Sequence, residues 1–426
     1  MKTKADSADF EVVIPGFANC HSHAFQRAMA GLTESHSGIN REDSFWTWRE
    51  VMYALATQLS PKDLYDIASL LYMEMLEAGF TSVGEFHYLH RLRDPNKATR
   101  LNPLESASVI LEASNLTGIR LCLLPVLYQT GGIDRPASSW QKPFVHDRFE
   151  DFLSLFQELS KNHSKCSLGA AIHSLRAVAA AEIKNLLGWI GKNDMPIHIH
   201  VAEQPAEVLE CQRHLGKRPV EFLLENFDLD DRWTLVHATH IEAQELHAIA
   251  HKKVNVCLCP ITEANLGDGI FPAVEFLKAN GRVCIGSDAN VLVNPFEEMR
   301  LLEYSQRYRH LRRILCTGED SNSAGQGIAQ QVYETGNLSL RSNSAAIKPG
   351  MKADFLVLNS KEFDYLLHNE NVLWDFWLFS QPKNLINKVY VGGQLVVSEG
   401  KHHRHDEIKE RYLETMRRIY QEHIFA

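Results

Sequence analysis

The stretch Pro15-Gly16-Phe17-Ala18-Asn19-Cys20-His21-Ser22-His23-Ala24-Phe25-Gln26 governs the reading of the whole chain. Ahead of it, residues 10–14 are apolar and β-branched, which predicts a short buried strand. Pro15-Gly16 then turns the chain and presents His-x-His at a strand end. Side chains two apart on a strand share a face, so His21 and His23 aim two imidazoles at one point. Two neutral imidazoles on one point begin a site for zinc or a similar divalent metal. Taken alone, the pair favours the reading as two ordinary polar residues at an exposed strand end, because short motifs recur by chance. The rest of the chain decides.

It decides by repetition. Residues 28–48 form a long irregular segment with Phe45, Trp46 and Trp48, the length and composition of a binding loop. A helix follows, with Ser60 as N-cap, Pro61 in its first turn, Leu64, Ile67, Leu70, Leu71 and Met75 at helical spacing, and Gly79 as its stop. Strands are then predicted at 81–87, 120–127, 167–173, 196–201, 233–237, 254–257 and 282–287. Amphipathic stretches separate them, near 104–114 and at 150–159, 179–190, 206–215 and 243–250. With the first strand this makes eight, alternating mainly with helices, and predicts an α/β fold: a (β/α)8 TIM barrel. A doubly wound open sheet would give a similar pattern, but no Gly-x-Gly-x-x-Gly follows an early strand.

The last hundred residues change character. Short strands are predicted at 337–340, 353–358 and 389–397, the last folded at the two-residue turn Gly392-Gly393. The expected organisation is a catalytic barrel over 12–335 and a small flanking β-sandwich module over 336–426, closed by a charged helix at 406–422. His402-His403-x-His405 reads as a solvated polar tail.

Composition bounds the function. The 426 residues are 45% hydrophobic and 23% charged, ordinary for a globular protein, and the net charge of −9 argues against a nucleic-acid partner. Eight cysteines are scattered without a Cys-x-x-Cys pair, as expected of buried thiols in a reducing compartment. Residues 1–9 lack an apolar signal core and no apolar run approaches membrane-helix length, so a cytoplasmic protein without a membrane partner is expected.

Parallel barrels carry their chemistry at the C-terminal ends of the strands. Those ends hold His21 and His23, His87-Tyr88, His173 and Arg176, His200 and Glu203, His237, and Asp288. His21, His23, His200 and Asp288 can supply three imidazoles and a carboxylate to a metal that acidifies a water. Glu203 suits the transfer of that water's proton, and His237 the stabilisation of a tetrahedral centre. Arg176 and Tyr88, with Arg49 from the aromatic loop, suit recognition of carboxylates.

Residues His21-Ser22-His23-Ala24-Phe25-Gln26-Arg27-Ala28-Met29-Ala30-Gly31, Asp43-Ser44-Phe45-Trp46-Thr47-Trp48-Arg49-Glu50, Gly84-Glu85-Phe86-His87-Tyr88 and Cys259-Pro260-x-Thr262-Glu263-Ala264-Asn265-Leu266-Gly267-Asp268-Gly269 resemble the amidohydrolase superfamily. Within it they are similar to the formimidoylglutamate deiminases of histidine degradation. The resemblance is close over residues 12–310 and looser over the β module. It implies one zinc per subunit on His21, His23, His200 and Asp288, with Glu203 as proton shuttle and His237 and Asp288 as further catalytic groups. It implies substrate contacts from Gln26, Arg49, Tyr88, His173 and Arg176, and a homodimer. The implied reaction is hydrolysis of N-formimidoyl-L-glutamate to N-formyl-L-glutamate and ammonia. A deaminase of purine, pterin or triazine rings would share the metal and proton-transfer residues, but would not need two arginines and a tyrosine for carboxylates. A catalytically silent relative is the rival from another class.

The resemblance also implies strands ahead of the first barrel strand that would complete the β module. Only about eleven residues precede that strand here, so an incomplete module with an unpaired sheet edge is expected. Residues 317–334 read as shortened.

Overall fold

The computed structural model describes residues 11–36, 43–97, 99–162, 166–317, 321–344, 346–359, 361, 363–366, 369–380 and 384–421. Its opening corrects the sequence reading at the decisive stretch. Strand β1 (Val12–Pro15) does not enter the barrel. Phe10 and the residues before it lie outside the described residues. The first barrel strand is β2 (Phe17–Ser22), buried at every position and carrying His21. Alternation distinguishes the two: β1 buries Val12 and Ile14 but exposes Val13, as suits a sheet with one wet face, whereas a parallel barrel strand is covered on both faces. Gly16 separates them because a side chain there would collide with Thr81, at 2.2 Å from an added Cβ.

The barrel continues through β3 (Phe80–His87), β4 (Arg120–Leu127), the two-residue β5 (Ser167–Leu168), β6 (Ala170–Ile172), β7 (Ile197–Val201), β8 (Trp233–His237), β9 (Asn255–Leu258) and β10 (Arg282–Ile285). Eight of these run β2-β3-β4-β6-β7-β8-β9-β10, every neighbouring pair parallel, with β5 a short second partner of β4. The ring closes between its ends: His21 O accepts the backbone N–H groups of Ser287 and Asp288, both at 3.0 Å, and Asp288 O accepts that of His23 at 3.1 Å. Gly286 permits the approach, since a Cβ there would lie 2.7 Å from His21 Cβ. The eight-stranded barrel is therefore as the alternation of elements predicts.

The helices follow their end signals. In the helix Pro61–Ala78, Ser60 and Asp63 satisfy each other's backbone N–H groups, and Gly79 closes the last turn at φ 105°. The helix Phe45–Ala56 occupies part of what reads as irregular sequence, capped reciprocally by Ser44 and Thr47.

The second sheet runs β1-β11-β12-β13-β14, with β11 (Phe355–Leu358), β12 (Ile386–Val391), β13 (Gln394–Ser398) and β14 (Lys401–His402), all antiparallel. Residues 337–340 are not a strand. They finish the helix Ala324–Leu340, which crosses the expected domain boundary at 335/336 and packs on β2 and β10. Ser339 O there takes a hydrogen bond from His198 at 3.0 Å, and Gly84 leaves the space that Leu340 fills. A bidentate Arg120–Asp354 pair at 2.6 and 2.7 Å joins barrel to module. The histidine run near the C-terminus is not a solvated tail: His402 is buried against Thr117 O at 2.9 Å, and His405 meets Glu77 at 2.7 Å, docking the helix His405–Ile419. Among the described residues no helix is long and apolar enough to cross a membrane.

Candidate active site

Four side chains from three strand ends converge on one point. His21 and His23 arrive at the end of β2, His200 on β7, and Asp288 just past β10. His21 Nε2 lies 3.2 Å from His23 Nε2 and 2.9 Å from His200 Nε2. Asp288 Oδ1 stands 3.3 Å from His21 Nε2 and 3.2 Å from His23 Nε2, and one donor atom from each of the four residues falls within 4.8 Å of the others. All four residues are buried.

Their protonation suits a metal. Burial drives the His21 pKa down to about 3 and that of His200 well below its ordinary value, so both rings are neutral. His23 Nδ1 faces Phe86 O at 2.9 Å and must donate to it, which turns a lone pair on Nε2 toward the centre. Burial opposes the charge of Asp288, but the His21 and His23 imidazoles beside it, at 3.3 and 3.2 Å, hold its carboxyl well below the usual range. Three nitrogen lone-pair positions and a carboxylate oxygen converging in a buried pocket are the donor set of a divalent cation.

The backbone around this point is strained. Ala202, His237, Ala238 and Asp288 have φ of 51°, 69°, 49° and 44°, a left-handed region that side chains rarely adopt and that costs on the order of 1 kcal/mol each. These residues all follow or end barrel strands, and the strain aims the side chains.

Beside the four donors stand Glu203 and His237. Glu203 Oε1 is 3.8 Å from His237 Nε2, and Glu203 Oε2 is 3.8 Å from the Arg176 guanidinium. Burial raises the Glu203 carboxyl above its ordinary pKa, which favours a group that takes and returns a proton. Burial works against charge on His237, yet Glu203, Glu263 and Asp288 outweigh it and raise its pKa to about 10. An imidazolium there is a hydrogen-bond donor facing the cleft.

The cleft itself is lined by Gln26, Arg49, Tyr88, His173 and Arg176 together with His23, His200, Glu203, His237 and Asp288. Every residue expected to touch substrate therefore meets the expected metal and proton-transfer residues in one space. Gln26 Nε2 donates to the Tyr88 hydroxyl at 2.7 Å, leaving its Oε1 buried without a partner among the described residues. Arg49 is half-buried over Trp46, 4.5 Å from the ring centre. His87, named with Tyr88 as a strand-end candidate, lies elsewhere: successive residues point to opposite faces, and His87 meets Ser106 at 3.2 Å.

Several supporting residues escape a reading based on strand ends. Glu207 accepts the N–H groups of Ala202 and Glu203 at 3.2 and 3.1 Å, fixing the loop that carries Glu203. Glu263 Oε1 lies 3.2 Å from His237 Nδ1 and takes the Cys259 N–H at 2.9 Å. Glu85, pushed up to about 7 by burial, receives the Ala24 N–H at 2.6 Å behind the His-x-His turn. The Cys259 sulfur lies within 4.8 Å of the His237 and Asp288 donor atoms. Glu85 and Glu263 do fall within the distinctive stretches of the sequence, which was the available signal. Glu207 had only its place at the start of a helix.

Residues 12–396 match the amidohydrolase family over more than half of the chain. The chain belongs to that family. Enzymes of the family are metal-dependent hydrolases. The formimidoylglutamate deiminase of Pseudomonas aeruginosa is 43% identical over 92% of this chain and 85% of its own length. A 5-methylthioadenosine/S-adenosylhomocysteine deaminase from Thermodesulfovibrio yellowstonii is 23% identical over 93% of this chain and 83% of its own. The crystal structure of an amidohydrolase from Brucella melitensis superimposes with a TM-score of 0.88 at 38% identity, covering 96% of this chain and 90% of that one.

Proposed function

We propose that this amidohydrolase hydrolyses N-formimidoyl-L-glutamate to N-formyl-L-glutamate and ammonia, using one zinc ion held by His21, His23, His200 and Asp288. The donor set supports the metal: three buried imidazoles, at least two of them neutral, face one carboxylate within 4.8 Å. When bound, zinc lowers the pKa of a water in its open position and supplies a nucleophile near neutral pH.

The chain's own groups do the rest. Glu203 accepts the proton of the attacking water and returns it to the departing nitrogen, so that ammonia leaves as the carbon gains its oxygen. His237, oriented through Nδ1 by Glu263, presents Nε2–H to the charge that develops at the tetrahedral centre. Asp288, 3.9 Å from His237 Nε2, steadies that imidazolium as well as the metal. Gln26 Oε1, buried and unpartnered among the described residues, is available to accept an N–H of the formimidoyl group. Arg49, Arg176, Tyr88 and His173 hold the two carboxylates.

The observation that carries the substrate is the pair of guanidinium groups, Arg49 and Arg176, lining the same cleft as the proton-transfer residues. A neutral ring does not call for them, whereas a dicarboxylate does. The 43% identity to a formimidoylglutamate deiminase points the same way. The eight free cysteines support a cytoplasmic location. A homodimer is the assembly that the family resemblance supports, and sedimentation will test it.

The deciding experiment is ammonia release from N-formimidoyl-L-glutamate by the zinc-loaded protein, beside a His237→Ala control. Turnover that vanishes in the variant is expected. A zinc-loaded protein that leaves this substrate intact and deaminates a purine, pterin or triazine instead would overturn the reading.

A further inference from the structure

The wall of the cleft away from the metal donors holds a proton that nothing in the described structure accepts. Gln141 is buried, and its Oε1 takes the backbone N–H of Ser138 at 3.0 Å. That bond fixes the amide, so both protons of Nε2 face two phenols: the hydroxyl of Tyr128 at 2.8 Å and that of Tyr53 at 3.4 Å. The phenol oxygens are themselves 3.3 Å apart. Their contact uses one of the two O–H protons, because one hydroxyl donates and the other accepts. The remaining O–H has no further acceptor in this network.

The surroundings say where it goes. Both tyrosines line the cleft, next to Arg49, whose guanidinium lies 5.6 Å from the Tyr53 ring centre. Among the described residues, the carboxylates that line the cleft are Glu203 and Asp288, and both belong to the metal pole. The Tyr128 ring lies tilted against that of His173, with 4.1 Å between ring centres, and the His173 ring centre stands 5.3 Å from that of His200. The phenol pair thus sits two ring contacts from the reacting centre. A surplus O–H donor beside an arginine at that remove suits an anion.

We propose that Tyr53 and Tyr128, oriented by Gln141, seat the substrate carboxylate furthest from the reacting carbon and so set the length of diacid that the cleft accepts. This rests on the proposed deiminase reading. Tyr53 and Tyr128 are specificity-determining residues and Gln141 is a positioning residue. None acts on the formimidoyl carbon.

Either phenol can supply the free proton, so the test is the double variant Tyr53→Phe/Tyr128→Phe, which keeps both rings and their packing. On zinc-loaded protein with an unchanged melting temperature, we expect KM for N-formimidoyl-L-glutamate to rise roughly tenfold to a hundredfold, the size of a lost hydrogen bond to a charged group. We expect kcat to stay within about twofold, because the seat binds ground state and transition state alike. Calorimetry with N-formyl-L-glutamate and with N-formyl-L-aspartate, one methylene shorter, reads the same seat without turnover. The preference for the longer diacid should shrink toward one in the variant. A folded variant with unchanged KM, or a fall in kcat at constant KM, overturns the proposal. So does a length preference that survives both substitutions. If wild type binds N-formyl-L-glutamate through the phenols yet turns over no N-formimidoyl-L-glutamate, the seat stands and the deiminase reading falls. If wild type shows neither binding nor turnover, both fall.

Discussion

The two walls of the cleft are built in different ways. The metal pole is made of barrel-strand ends: His21, His23, His200, His237 and Asp288 are all buried, and the last two sit on left-handed backbone. Its positions are fixed by the sheet, through backbone bonds such as His23 N–H to Asp288 O. The recognition pole is made of segments laid over the barrel mouth. Arg49 and Tyr53 come from the helix Phe45–Ala56 and are half-buried, while Tyr128 and Gln141 lie beyond the end of β4. Its groups are placed by side-chain contacts, including Arg49 over Trp46. The difference teaches that one frame can keep its hydrolytic pole while the covering segments change what is admitted. Changes at the first pole should then act on kcat and changes at the second on KM.

The largest expected effect tests the first half of that division. Glu203→Gln keeps the size of the side chain and removes its basicity. We expect kcat for the proposed substrate to fall by roughly 10²- to 10⁴-fold with KM within a few-fold, as for loss of a general acid–base group. Steady-state kinetics at saturating zinc will read it. A rise in KM of similar size would break the comparison, because Glu203 also faces Arg176 at 3.8 Å and would then be serving the recognition pole through that arginine.

Arg49→Ala tests the other half and should be milder. The guanidinium is half-buried and stacked on Trp46, so its loss should raise KM about tenfold and leave kcat nearly unchanged. Arg49→Lys should recover little, since a point charge replaces a planar fork that both stacks and pairs. If kcat fell as far as KM rose, the helix would be helping to orient the reacting carbon, and the two poles would be one.

The same division explains what could be read from sequence. Strand ends are legible because alternation, β-branched runs and the rule that barrels work at their C-terminal rim need only local pattern. His21, His23, His200, His237 and Asp288 all came from that rule. The limits were equally physical. Residues 10–14 and 17–22 are both short and nearly adjacent in the chain, and only three-dimensional pairing says that β1 joins β11 while β2 joins β3. Asn337 to Leu340 alternates polar and apolar over only four residues, too short for periodicity to separate a strand from the last turn of a helix. Glu207, Gln141 and Tyr128 act through partners distant in the chain, such as Arg176 and Tyr53, and no local spacing announces them. Recognition by the covering segments was therefore legible chiefly where the family resemblance supplied it.

The smallest expected effect concerns the charge on His237, and it shows whether the metal pole is electrostatically set before any metal binds. Burial disfavours that charge, but Glu203, Glu263 and Asp288 raise the pKa from an ordinary 6.5 to about 10 in the folded protein. Between those values the native state holds a proton that the unfolded chain has lost, so stability must fall as pH rises through the window. The contribution is complete below pH 6.5 and gone above about pH 10. For metal-free protein the unfolding free energy, measured in urea, should drop by on the order of 1 kcal/mol between pH 7 and 8 relative to His237→Asn, the slope of one proton. Parallel curves for the two proteins would mean a neutral ring at His237, which accepts at Nε2 when Glu263 takes the Nδ1 proton. In that case the donor assigned to the tetrahedral centre would have to come from elsewhere in the cleft. A drop of the expected size would instead mean that three carboxylates hold the imidazolium ready, and the strand-end wall would carry its charge pattern independently of the segments that cover it.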